Sequence, residues 1–204
     1  MHSWKRAQGK QVVTRDEGAA IGTLNDFQFD LADRHIYGWR LKGPGMFAPF
    51  GGVSTELLLV IGRDVAIVQS EKSVEWSNAG RNTAEGRAWA GDYRGTTVVD
   101  QRGRAMGSVQ DFVFDDLGAQ LTGFVLQGNL LLPLDDRVRM GPAAVIARDQ
   151  AQAVAIQDLP ESPEDRERWW DRLTGRAKKE PTKPAEEQER REEPVTWPPE
   201  DEEK

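Results

Sequence analysis

Residues 25–30 read "NDFQFD" and residues 110–115 read "QDFVFD", nearly the same six residues 85 positions apart. In an extended strand Phe27 and Phe29 share one face, as do Phe112 and Phe114, while the flanking aspartates fall on the other. The phenylalanines are therefore expected in a core, and Asp26, Asp30, Asp111 and Asp115 in solvent or in hydrogen bonds at the strand ends. Burying two such rings contributes roughly 3 to 6 kcal/mol of transfer free energy before entropy is counted.

Working outward, the copies align from Gly9 and Gly95 with 12 identities over about 32 positions, where chance supplies about two. The matches run through Val12/Val98, Val13/Val99, Gly18/Gly103, Ala20/Ala105, Gly22/Gly107, Gly38/Gly123 and Leu41/Leu126. A duplicated unit is the better account, each copy being expected to own a core.

Within each copy the pattern is β. "QVV" and "TVV" are β-branched runs, "DEG" and "QRG" are turn signals, and "IGTLNDFQFD" and "MGSVQDFVFD" alternate with period two. "HIYGWRL" and "QLTGFVL" return, and "VAIV" and "AAVIA" close each unit. Gly22 and Gly107, in mid-strand, suit sharp bends or close backbone approach at barrel corners. Short strands of this number curl into a small barrel, because closure removes exposed sheet edges.

The fold expected is all-β: two tandem small barrels, then a short helix and a disordered charged tail. The first barrel is assigned to residues 1–72, a connection to 73–88, the second barrel to 89–158, the helix to 159–179 and the tail to 180–204. The helix expectation rests on Ser162 as N-cap, Pro163 at the first helical position and two acidic residues after it. Trp169, Trp170 and Leu173 cluster on one side of it. The tail is charged, proline-bearing and nearly devoid of aliphatics, apart from Trp197 in "VTWPP".

The 204 residues contain no cysteine, which removes disulfides, thiol catalysis and thiolate metal sites. The net charge of −7 divides into −5 for residues 161–204 and −2 for the rest, a balance that speaks against generic nucleic-acid or anionic-lipid binding. No secretory signal or membrane-spanning run is present, so the expected location is cytoplasmic.

The order "GKQVVTRDEGAAIGTLNDFQFD" through "YGWRL" to "IGRDVAIV", repeated to "LPLDDRVRMGPAAVIA", resembles two tandem PRC-barrel domains. This small β-barrel is seen in the cytoplasmic part of the photosynthetic reaction-centre H subunit and in the C-terminal half of the ribosome maturation factor RimM. The resemblance implies a non-enzymatic module that docks on larger assemblies. It also leaves two alternatives, a ribosome-associated or RNA-processing accessory factor and a small-ligand or membrane-peripheral module, the last disfavoured by the acidic tail.

No catalytic, cofactor or metal site is expected: the four aspartates hold equivalent structural places in both copies, and His2 and His35 are the only histidines. Candidate contacts to an unidentified protein partner are Met46, Phe47 and Phe50 in "GPGMFAPFGG", together with Trp169, Trp170, Leu173 and Trp197. The loop has two readings, a displayed apolar cluster or residues folded back over the barrel mouth, the second being favoured. The tryptophan pair either packs on the protein's own barrels or anchors a partner.

Overall fold

The structure, a computed structural model, describes residues 2–45, 47–77 and 83–156. The first repeat runs β1 (His2–Ser3), α1 (Trp4–Ala7), β2 (Gln11–Thr14), β3 (Ala20–Asp30), β4 (Ile36–Lys42), β5 (Phe50–Ser54), β6 (Leu58–Ile61), β7 (Val65–Val68) and β8 (Glu75–Ser77). The second runs β9 (Arg87–Trp89), α2 (Ala90–Tyr93), β10 (Thr97–Asp100), β11 (Ala105–Phe114), β12 (Leu121–Leu126), β13 (Leu130–Pro133), β14 (Arg139–Met140), β15 (Ala144–Ala147) and β16 (Val154–Ala155).

The main sheets match strand for strand, in the orders β6-β7-β2-β3-β4-β5-β8 and β14-β15-β10-β11-β12-β13-β16. Each curls into a small barrel, and in each the opening strand lies parallel to a late one, β2 beside β7 and β10 beside β15. Segment 73–88, read from sequence as a connection, contains β8, which pairs with β5, and the start of β9. The helix and tail expected beyond the second barrel lie outside the described residues.

The lead-in strand of each repeat pairs with the other repeat. β1 lies on β11 with His2 opposite Phe114, and β9 lies on β3 with Phe29 opposite Ala88. β10 covers only the first half of the β11 edge, so the lead-in strand satisfies backbone groups that would otherwise be bare. A second reciprocal contact joins equivalent positions of the two repeats: His35 bridges Gln120, Ile36 N donates to Ala119 O at 2.8 Å, and Leu121 N donates to Arg34 O at 3.0 Å.

The expectation of two separate cores is corrected by this exchange. Phe27, Phe29, Phe112 and Phe114 are buried in one continuous cluster. The Phe27 ring meets Phe112 at 5.5 Å and Phe114 at 6.0 Å between centroids, and Trp39 meets Phe114 at 5.2 Å. Trp4 from α1 and Tyr93 from α2 fill the remaining corners, against Phe27 and Phe29 respectively. Two units this small gain stability by merging, because the fraction of surface buried rises with size.

The glycines at the bends differ. A Cβ on Gly22 would lie 2.3 Å from the Lys42 carbonyl oxygen, so backbone approach there excludes any side chain. Gly107 has φ +117° and its nearest neighbour at 3.6 Å, so conformation is its only constraint.

Candidate functional site: a basic groove where the repeats join

Asp26 and Asp111 are 2% and 8% exposed, which corrects the expectation that they face solvent or sit at strand ends. The cause is a bulge in each long strand, between Leu24 and Asp26 and between Val109 and Asp111, which turns the carboxylate inward beside its phenylalanine. Asp111 Oδ1 then accepts from Phe112 N and from Lys5 N, both at 2.9 Å. Asp26 Oδ1 accepts from Phe27 N at 2.9 Å and Gly91 N at 3.1 Å.

Lys5 and Gly91 are the second residues of α1 and α2, and neither Ser3 nor Trp89 at the N-cap supplies a side-chain bond. Each repeat's aspartate therefore caps the other repeat's helix, meeting an amide that would otherwise lack an acceptor. Asp30 and Asp115 instead close turns: Asp30 Oδ1 takes Ala32 N and Asp115 Oδ1 takes Ala119 N. Among the described residues no group of three or more His, Cys, Asp or Glu side chains is placed to hold a metal ion.

Crossing the lead-in segments leaves a groove of about 1090 Å³ between α1 and the outer face of the second barrel. Lys5, Arg6, Lys10, Arg63 and Arg94 stand along it, against one carboxylate, that of Asp111, already committed to backbone amides. Lys10 Nζ also donates to Gly62 O at 2.5 Å, which holds that side chain at the groove. The floor is aliphatic: Val113 and Leu131 are buried, with Val125 and Ile156 half-buried against them.

His2 lines the mouth, stacked on Phe114, with Nε2 3.4 Å from Asp116 Oδ1. Burial holds its pKa below the usual imidazole value, helped by the positive chain terminus and opposed by Asp116.

None of the same sheet positions in the first repeat carries an aliphatic side chain. Gln28 stands where Val113 does, Arg40 where Val125 does and Gly52 where Leu131 does, within identical strand pairings. Arg6 is matched by Asp92 on the opposite side. Identities between the copies do not mark these positions. The signal was in the differences: "FQF" against "FVF" and "WRL" against "FVL" replace outward polar residues by valine.

Of the residues singled out from sequence, Phe47 is 95% exposed. It does not fold back over the barrel mouth, because Lys42 pairing with Phe50 and Gly43 N donating to Pro49 O close the hairpin beneath it and leave the loop tip projecting. Phe50 is half-buried under the Arg40 guanidinium, 3.8 Å from its ring centre, and neither phenylalanine lines the groove. Met46, Trp169, Trp170, Leu173 and Trp197 lie outside the described residues.

Among the described residues no helix is long and apolar enough to cross a membrane. A comparison with curated proteins returns no match. The PRC-barrel domain family matches in two segments, residues 1–75 and 90–151, one on each repeat. With both copies of the strand order and most of its length accounted for, the chain belongs to the PRC-barrel domain family.

Proposed function

We propose that this chain is a non-enzymatic adaptor whose junction groove takes a segment of a partner protein bearing carboxylates beside aliphatic or aromatic residues. The observation that supports this is the departure of the second repeat from the first on the groove face. Gln28, Arg40 and Gly52 occupy the same strand positions without disturbing the barrel, so the fold does not require Val113, Val125 and Leu131 to be apolar. An aliphatic floor inside a cationic rim suits a peptide that buries apolar side chains and pairs its carboxylates at the edge. A nucleic-acid strand would use aromatic stacking platforms, which the aliphatic floor does not offer.

The test is capture from native lysate with the full chain, with Val125→Glu, and with Gly52→Glu as the matched change on the first repeat, where a side chain meets open space. Proteins retained by the parent and by Gly52→Glu but lost with Val125→Glu, and unaffected by nuclease, are the expected result. Identical capture by all three chains, or capture that nuclease abolishes, overturns the reading.

A further inference from the structure

The described chain ends at Ile156, whose side chain lines the groove. Residues 157–165, "QDLPESPED", carry Asp158, Glu161, Glu164 and Asp165 and no basic residue. "RERWWDRL" follows at residues 166–173, with Trp169, Trp170 and Leu173. Nine residues of extended chain span at most about 30 Å. The acidic stretch is thereby tethered within reach of Lys5 and Arg6, and the tryptophans follow within reach of Val113, Val125 and Leu131.

We infer that residues 157–173 dock back into the groove and are its resident occupant, a built-in competitor for the partner segment. The inference rests on the groove being a seat for acidic and apolar chain, and it specifies how that seat is regulated. Charge complementarity orients the segment: five carboxylates and two arginines precede Trp169, four of the carboxylates in the wholly acidic stretch 157–165, and cations line the rim that would receive them. Tryptophan supplies the area, since each ring buries about 150–250 Å². The tether raises the local concentration of the segment into the millimolar range, so modest intrinsic affinity suffices to keep the groove filled. A partner must displace it, which makes the exchange a switch responsive to partner concentration.

The absence of cysteine makes a direct test clean. In the full chain, Val125→Cys is combined with Thr174→Cys, which leaves Trp169, Trp170 and Leu173 intact. The control combines Gly52→Cys with Thr174→Cys. Both are treated at high dilution with a short bismaleimide. Intramolecular cross-linking at least tenfold faster for the Val125 pair is the expected result. Added Lys5→Glu and Arg6→Glu should slow it, and further Glu164→Lys and Asp165→Lys should restore it. Equal rates for the two pairs overturn the inference, as does a Val125 rate indifferent to the charge reversals.

Full-length Trp169→Ala/Trp170→Ala should capture more partner than the parent, and unchanged or reduced capture counts against competition. Selective cross-linking without any groove-dependent capture removes the adaptor reading and leaves the intramolecular seat. Groove-dependent capture without selective cross-linking does the reverse.

Discussion

Replacing Phe27 by alanine tests whether the two repeats fold as one unit. The ring is fully buried and meets Trp4, Phe29 and Trp39 as well as Phe112 and Phe114 of the second repeat. Truncating a buried phenylalanine costs about 3–5 kcal/mol through lost transfer energy and the cavity left behind. Each aromatic pair broken adds about 0.5–1.5 kcal/mol beyond burial, which places Phe27 toward the upper end of that range. At about 2–4 °C per kcal/mol for a chain of this size, the melting temperature should fall by about 6–20 °C. Differential scanning calorimetry of the full chain should show one transition before and after the change, because the cavity opens in a core both repeats share. Two transitions, with the upper one unmoved by Phe27→Ala, would refute the shared core and return the molecule to two independent barrels.

Two further outcomes follow from the same geometry. Asp111→Ala removes the acceptor shared by Lys5 N and Phe112 N and should destabilise the chain by about 1–3 kcal/mol in urea unfolding, whereas Asp111→Asn, which keeps an oxygen, should lose clearly less. Tyr93 donates its hydroxyl to Gly141 O at 2.9 Å, and burial raises its pKa well above the ordinary 10.0. The unfolded chain releases that proton near pH 10 while the folded one retains it, so stability should fall as pH climbs above about 10. Tyr93→Phe should flatten that alkaline slope in denaturant titrations, and an unchanged slope would show that the phenol does not contribute to it.

Much of the barrel was legible because its signals are local. Alternation around Phe27 and Phe112, turns at Gly18 and Gly103, and returning strands through Trp39 and Phe124 are properties of a few neighbouring residues. The groove was less legible, because a floor residue such as Leu131 in "LLLP" looks like one more core position until the strand pairing shows which face it occupies. Lys5 and Arg6 sit in a short segment with no periodicity, so nothing nearby in sequence ties them to Val113.

Duplication, the all-β character and the burial of the four phenylalanines were determined by the sequence, since period-two patterning and the apolar transfer energy act wherever the strand lies. Tertiary structure decided that β1 and β9 cross to the opposite repeat. A two- or three-residue strand offers the same backbone donors and acceptors to either copy, so its choice rests on where Trp4 and Tyr93 find room in the merged core. That crossing brought the amides of Lys5 and Gly91 to the carboxylates that the bulges had turned inward, making Asp111 and Asp26 buried caps, and it placed the cations of α1 over an aliphatic face more than a hundred residues away in sequence.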